Sequence, residues 1–417
     1  MTEITWLEPF SEEEGIARCV TLFQERYGYE PTGVWAAPGR VNLIGEHTDY
    51  NGGLSLPIAL PHRAFVAVAK RDDRLMRLTD RYLPSGWEEV DLDRIGPVGS
   101  DGELGNWTAY LAGVAWSLEH PADETDALAE PLPGFDVALA SCVPRGGGLS
   151  SSAALECAMA VAIDDLAGLG FAATDEGRGY LVNACRRAEN EVAGAPTGGL
   201  DQSASLRCQA DHALELDSRD NSVKQIPFDL AAQGLELLVI DTKAPHSLND
   251  GQYKARRDAC ESAARKLGVG QLVEIDPAKL DETLAQLDDP VEVMRVRHVV
   301  TEIERTREAC DVLLEHPLEG ETLARVGELF NASHDSLRYD YEVTCPELDT
   351  AVEGARAAGA HGARMTGGGF GGSAIALIDA GTADQVAAKI VEAYAQADFN
   401  SPEFLRAVPA APAQRLK

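Results

Sequence analysis

Apolar residues fall in short runs separated by polar or glycine-bearing stretches, and the changes of period between runs predict the elements. Ser11-Glu-Glu-Glu14 has capping-box spacing, with a hydroxyl able to receive the N–H three residues on. It predicts a helix to about Tyr27, stopped at Gly28. Val34 to Ile44 is apolar and strand-like with an interruption at Pro38-Gly39, and Glu46 to Gly53 is a polar loop. Ala64 to Lys70 alternates with the two-residue period of a strand, and Phe135 to Ala140 is a short strand feeding Gly146-Gly-Gly148. Helices are predicted from about Ser151 to Leu166 and from about Tyr180 to Val192, the second ending in Gly194-Ala-Pro-Thr-Gly-Gly199. Leu235 to Asp241 reads as a strand, and Gln252 to about Phe330 as mainly helical with breaks. A second glycine run, Gly367 to Gly372, precedes a strand from Ser373 to Ile378 and a helix from Ala383 to Ala395.

Helices and strands are mixed without strict alternation, which predicts the α+β class. A chain of 417 residues suits two lobes sharing one cleft. No repeat or low-complexity linker marks the division, which is placed near residue 210 to give lobes 1–210 and 211–417.

Acidic residues outnumber basic ones, 68 to 36, for a formal charge of -32. So negative a field disfavours nucleic acid and anionic membranes as partners. An anionic small molecule would need a local site made by backbone N–H groups, a few cations and a metal. The eight cysteines form no Cys-x-x-Cys pair, which argues against a zinc knuckle or a thioredoxin-like centre and reads as small buried side chains. The N-terminal segment lacks a basic region followed by an apolar run, and no apolar run reaches membrane-spanning length. Reduced cytoplasm is the expected compartment.

Pro144-Arg-Gly-Gly-Gly-Leu-Ser-Ser-Ser-Ala-Ala154 carries the clearest physical signal. Its glycines let backbone approach a ligand, and its serines open an apolar helix whose free N–H groups and positive dipole end suit a phosphate. A plain Gly/Ser turn with an N-cap is the other reading. No Walker lysine is present, so a nucleotide would be held by loop backbone and metal. Gly367-Gly-Gly-Phe-Gly-Gly372 formally matches a dinucleotide fingerprint, but a strand follows it instead of a helix, and Glu392 lies in a helical pattern. Close packing of this run beside a substrate or phosphate loop fits better. Pro38-Gly-Arg-Val-Asn-Leu-Ile-Gly-Glu-His-Thr-Asp-Tyr-Asn-Gly-Gly53 crowds a cation, acids, an imidazole and amides next to a strand, a set suited to a polyhydroxylated ligand.

That polar segment resembles the galactokinase signature of the GHMP kinases, the serine-glycine loop resembles their second motif, and Met365-Thr-Gly-Gly-Gly-Phe-Gly-Gly-Ser373 their third. Pro196-Thr-Gly-Gly-Leu-Asp-Gln202 resembles the segment carrying the family's catalytic aspartate. Asp250-Gly-Gln-Tyr-Lys-Ala-Arg-Arg257 and Asp340-Tyr-Glu-Val-Thr-Cys-Pro-Glu-Leu-Asp349 are also similar to galactokinase segments. The resemblance runs in order from about Val34 to Leu377 and implies two α+β lobes with ATP and sugar meeting between them.

Carried over by position, the resemblance implies that Arg40 and Asp201 face the anomeric hydroxyl. Glu46, His47 and Asp49 would bind other sugar hydroxyls, with the Gly198 backbone and Tyr253. Gly146, Gly147, Gly148, Leu149, Ser150, Ser151 and Ser152 would wrap the triphosphate of ATP, and Ser152 with Glu189 would hold Mg²⁺. Trp107 matches an adenine-stacking tryptophan, and a half-buried core aromatic is its other reading. Thr197, Gly199 and Arg145 depart from the usual pattern; Arg145 would be solvated or touch a phosphate. The implied partners are galactose and ATP, with a monomer expected and a homodimer as the alternative. Asp201 would deprotonate the acceptor or orient it and take the proton late, and Arg40 beside it would keep it ionised while weakening it as a base. A related sugar-1-kinase and a non-catalytic galactose sensor remain alternatives; the intact serine run, Arg40 and Asp201 argue against the sensor.

Overall fold

The computed structural model describes residues 4–84, 86–123, 128–245, 250–315 and 317–417, without the side chain of Asp250. The first half runs β1 (Thr5–Trp6), α1 (Glu12–Tyr27), β2 (Gly33–Asn42), β3 (Leu54–Ser55), β4 (Pro57–Arg71), β5 (Leu75–Asp80), β6 (Glu88–Asp91), α2 (Thr108–Glu119), β7 (Gly134–Ser141), α3 (Ser151–Ala167), α4 (Asp175–Arg187) and α5 (Leu200–Arg207). The second half runs β8 (His212–Asp217), β9 (Ser222–Pro227), β10 (Leu235–Asp241), α6 (Asp250–Leu267), α7 (Leu280–Leu284), α8 (Pro290–Glu315), α9 (Gly320–Tyr339), α10 (Pro346–Ala357), β11 (Gly362–Thr366), β12 (Ser373–Asp379), α11 (Ala383–Gln396), β13 (Glu403–Ala407) and β14 (Gln414–Arg415).

The mixed α+β class is as expected. Strands β14-β2-β4-β7-β5-β6 make one sheet, β1-β13-β10-β12-β11 a second, and β3-β8-β9 a small third. In the six-stranded sheet, the two-residue period sends alternate side chains to opposite covers. Trp35, Ala37, Val66, Val68, Val137 and Leu139 pack under α2, α3 and α4. Val34, Ala36, Phe65, Ala67 and Ala138 pack under α1. With both faces covered, β2 is buried throughout and reads as a continuous apolar run. The five-stranded sheet is likewise two-faced. Leu238, Ile240, Ala374 and Ala376 meet the second-half helices, while Leu237, Val239, Ile375 and Leu377 join Val41, Leu43, Ile58 and Leu60 of the first half. That shared cluster holds the two sheets against each other. Relative to the division expected near residue 210, β1 pairs in the second-half sheet with β13 and β14 pairs in the first-half sheet with β2.

Ser11 caps α1 by accepting from Glu14 N at 3.1 Å, and Gly28 closes it in the left-handed region. The helix expected from Tyr180 starts earlier, at Asp175, because Thr174 caps it, and after Arg187 it widens into a π-helical turn over Ala188–Val192. The strand expected over Ala64–Lys70 extends back to Pro57. α2, α10, β5, β6, β8, β9, β11 and β13 were not anticipated. α2 is buried along nearly its whole length and shows little amphipathic period, and β6, at its sheet edge, carries three acidic residues among four.

Candidate active site

Two cavities meet where the sheets face each other, one of about 190 Å³ and one of about 850 Å³. Arg40, Pro196, Asp201, Tyr253 and Gly368 line both. Arg40 reaches the junction because β2 breaks register between Pro38 and Arg40. Asp201 stands in the first turn of α5, after Gly199 at φ 99°. Arg40 sets Nε at 2.9 Å and Nη2 at 2.6 Å from the same oxygen, Oδ1 of Asp201. Its Nη1 donates to the Gly148 carbonyl at 2.6 Å, and its own N–H donates to the Leu149 carbonyl at 3.2 Å. One arginine thus ties the aspartate to the serine-glycine loop, with Oδ2 of Asp201 outside the pair.

The small cavity brings together Arg40, Glu46, His47, Asp49, Asp201 and Tyr253. Gly198 stands behind it: a Cβ there would run into the Asp49 carboxylate, so that position has no room for a side chain. Asp49 is pushed up to about 6, first by burial and further by the nearby Asp201 charge. Asn42, with its side chain buried, accepts from the Leu56 N–H through Oδ1 at 3.1 Å, while its Nδ2 has no hydrogen-bond partner among the described residues. An unspent donor in the cavity wall is what a ligand hydroxyl would satisfy.

Two expected sugar contacts are committed more deeply to the protein than the sequence suggested. Glu46 pairs with the fully buried Arg364 and accepts from Gly367 N at 3.0 Å. Burial raises its pKa and Arg364 opposes the rise. Arg364 also donates to Ser333 Oγ at 3.1 Å and to the Leu43 carbonyl at 3.0 Å, and lies 3.6 Å from Glu302. His47, at φ 62°, has both ring nitrogens occupied: Nε2 lies 3.2 Å from the Gly368 carbonyl and Nδ1 2.8 Å from the Tyr50 hydroxyl. A carbonyl only accepts, so Nε2 carries the proton and Nδ1 accepts from Tyr50. The Tyr50 hydroxyl contacts that of Tyr341 at 2.8 Å, which in turn lies 3.2 Å from Cys260 Sγ. Burial, and then the neighbouring His298, push His47 down to about 3, so the ring is neutral. Tyr253 packs its ring 5.5 Å from His47 and 5.6 Å from Tyr50.

The large cavity is lined by Gly146, Gly148, Leu149, Ser150, Ser151 and Ser152 on one side and by Trp107 and Tyr110 on another. Ser150 adopts the left-handed conformation at φ 59°, a costly choice for a residue with a Cβ. Its Oγ is buried without a partner, and no side chain caps the N-terminus of α3. An uncapped 17-residue helix opening into the cavity is suited to anionic oxygens. Gly147 faces away from the cavity; its carbonyl accepts from Ser373 Oγ at 2.6 Å. The second glycine run packs backbone to backbone on the first, as expected: Gly367 lies over the Gly148 carbonyl and Gly372 over that of Gly147. Trp107 is half-buried and packs on the first-half core while lining the cavity.

Glu189 sits on the π-helical turn near Ser152, and its carboxylate accepts from Gln202 Nε2 at 2.6 Å. Burial, and then the Asp201 charge, push it up to about 7. Gln202 Nε2 also donates to Glu156 at 3.0 Å; burial, and then Glu189, raise Glu156 well above the usual carboxylate range. Crowded buried carboxylates beside hydroxyls are hard oxygen donors short of positive charge, which fits a divalent cation. Among the described residues, no group of three or more His, Cys, Asp or Glu side chains could hold a metal alone, so a cation here would need ligand oxygens from a phosphate.

Arg364, Asn42, Gln202 and Glu156 were missed. Arg364 is the single charge in the apolar stretch Gly362–Met365, and a lone charge in a buried strand is the signal that could have found it. No described helix is long and apolar enough to cross a membrane.

The galactokinase galactose-binding signature matches residues 21–70, the GHMP kinase N-terminal domain residues 109–209, and the GHMP kinase C-terminal domain residues 301–396. The chain is 51% identical over 396 residues to a galactokinase of Streptomyces coelicolor, covering 94% of this chain and 97% of that protein. Among solved structures, Lactococcus lactis galactokinase complexed with galactose matches with a TM-score of 0.85 and 32% identity, covering 96% of this chain and all of that one. A mevalonate kinase from L. major, in complex with R-mevalonate, shares the fold at 17% identity with a TM-score of 0.57, covering 92% and 99% of the two chains.

Proposed function

The chain belongs to the galactokinase family of the GHMP kinases, and we propose that it transfers the γ-phosphoryl group of ATP to the C1 hydroxyl of galactose, giving galactose 1-phosphate and ADP, the first committed step of galactose catabolism. The observation that carries the reading is the position of Asp201, held by Arg40 at the junction of the small polar cavity and the larger loop-lined one.

Galactose occupies the small cavity, where Asp49, Asn42, Tyr253 and the backbone at Gly198 are the groups suited to its hydroxyls. Glu46 and His47 shape that wall. ATP occupies the large cavity, its triphosphate against the serine-glycine loop and the start of α3, its base toward Trp107. In the reaction a bond forms between the sugar oxygen and the γ-phosphorus and the bond to the β–γ bridging oxygen breaks. Asp201 Oδ2 orients the acceptor hydroxyl and takes its proton, while Arg40 fixes the carboxylate and the Gly148 backbone in one frame. A loose transition state asks mostly for such positioning and charge neutralisation.

A kinase of this family uses ATP with a divalent metal, and Mg²⁺ suits the oxygen donors here. Ser152 and Glu189 would hold it, and bound there it would neutralise charge on the phosphates. Dependence on ATP supports a cytoplasmic setting.

The test is ADP release with Mg²⁺·ATP across galactose, 2-deoxygalactose, N-acetylgalactosamine, arabinose, glucose and mevalonate, with Asp201→Asn beside the unaltered protein. Galactose-dependent turnover that disappears in the variant is the expected outcome. A better acceptor than galactose would reassign the sugar, and galactose binding without turnover would point to a sensor.

A further inference from the structure

Only two cations among the described residues line the nucleotide cavity, Arg40 and Arg145. Arg40 is spent on Asp201 and the Gly148 carbonyl. Arg145 stands directly before Gly146 in the serine-glycine loop and lines this cavity as well as a neighbouring one of about 380 Å³ against α1. Its Nη2 lies 3.4 Å from Asp80 Oδ2, and its guanidinium lies 4.6 Å from the ring centre of Tyr82.

The two partners are unequally held. Asp80 ends β5 and spends Oδ1 on the turn that follows, accepting from Tyr82 N at 2.8 Å and Leu83 N at 2.9 Å. Its side chain is 13% exposed, whereas that of Arg145 is 63% exposed. An ion pair at this length with so exposed a partner is weak. A guanidinium meeting phosphate oxygens makes shorter, charge-assisted, often bidentate bonds. ATP entering this cavity therefore offers Arg145 a better partner than the one it has. The need is also present, because the chain has no Walker lysine and a net charge of -32.

We propose that Arg145 is a phosphate clamp for the nucleotide, parked on Asp80 and Tyr82 in the free protein and transferred to the triphosphate when ATP binds. Asp80 sets the resting position and so tunes nucleotide affinity through Arg145. The inference rests on the assignment of ATP to this cavity.

The experiment measures KM for Mg²⁺·ATP and for galactose, together with ATP binding by calorimetry, in R145A, R145K, D80N and the R145A/D80N double variant. Thermal melting serves as the folding control. Loss of one charge-assisted contact made to the nucleotide should raise the KM and Kd for ATP about 10-fold in R145A, with the galactose KM nearly constant. R145K should recover part of the loss, since it keeps the charge without the fork. D80N keeps an oxygen for the Tyr82 and Leu83 N–H groups and should tighten ATP by up to about 5-fold, the scale of a weak surface pair. In the double variant that gain should vanish, because Asp80 acts through Arg145. An R145A protein of normal stability with unchanged ATP affinity overturns the clamp. A D80N gain that persists without Arg145 overturns the parking role and makes Asp80 a simple repellent of the nucleotide. Failure of galactose turnover in the unaltered protein would count against the sugar assignment alone, since calorimetry reads ATP binding without it.

Discussion

Arg40 places two nitrogens, Nε at 2.9 Å and Nη2 at 2.6 Å, on the single oxygen Oδ1 of Asp201. A side-on pair of this kind holds the carboxylate plane and leaves Oδ2 for an acceptor hydroxyl. Asp201→Asn preserves the shape while removing the proton acceptor. Turnover should fall by about 10²–10⁴-fold, the usual cost of losing a general base, with galactose affinity little changed. Steady-state kinetics with a binding titration decides it: near-normal turnover would take Asp201 out of the mechanism.

The partner of Glu46 is Arg364, a fully buried cation with Ser333, Leu43 and Glu302 around it. Truncating Glu46 removes the nearest negative charge from that arginine. Glu46→Ala should therefore destabilise the protein by about 1–3 kcal/mol, the cost of leaving buried donors unsatisfied, since Glu302 still faces Arg364 at 3.6 Å. The double change with Arg364→Met should recover much of the loss, since a flexible apolar chain then fills the space. Urea titrations of the three variants measure this. A Glu46→Ala protein as stable as the parent would return Glu46 to a purely ligand-facing role.

Ser152 stands in the first turn of α3, near Glu189. Ser152→Ala should raise the concentrations of Mg²⁺ and ATP needed for half-maximal rate, leaving the galactose KM near its original value. A titration in Mg²⁺ at fixed sugar reads the effect, and an unchanged metal and ATP dependence would remove Ser152 from the metal set.

Local signals were legible where the chain decides its own conformation. Ser11 and Gly28 bounded α1 correctly, because a cap hydroxyl and a left-handed glycine act within a few residues. The break at Pro38-Gly39 marked the shift that turns Arg40 into the site. What stayed hidden depends on distant partners. Nothing near β13 announces that it will join β1 and β10, and the π-helical turn carrying Glu189 has no period of its own. Glu46 and His47 were legible as site residues. Their internal partners, Arg364 more than 300 positions away and the Tyr50–Tyr341 hydroxyl chain, were not, since sequence spacing carries no information about contacts made across the fold.

His47 and His298 are pushed down from 6.5 to about 3 and about 4, in both cases first by burial. Glu302, Tyr50, Tyr253, Tyr341 and Arg256 face the pair, and none offsets the desolvation. His298 lies 2.9 Å from Ser336 Oγ and 3.2 Å from the Glu46 carbonyl, and burial keeps it neutral although the carbonyl contact favours the charged form. Both rings are therefore uncharged in the folded protein, yet take up protons near 6.5 once the chain unfolds. The sign follows: their contribution to stability is fully present above 6.5 and is lost as pH falls toward the folded values. Each histidine adds about 1.4 kcal/mol per pH unit of acid destabilisation in that window. Asp49, raised to about 6, acts oppositely between about 4 and 6, because the folded state holds its proton longer. The net slope is thus smaller than the histidines alone would give, and a variant isolates them. In His298→Asn the slope of unfolding free energy against pH between about 4.5 and 6 should fall by about 1.4 kcal/mol per unit. Proton NMR supplies the direct check: of nine histidines, the His47 and His298 ring signals should stay fixed from pH 8 to about 5. A midpoint near 6.5 for either ring would mean that the buried, hydrogen-bonded geometry opens in solution.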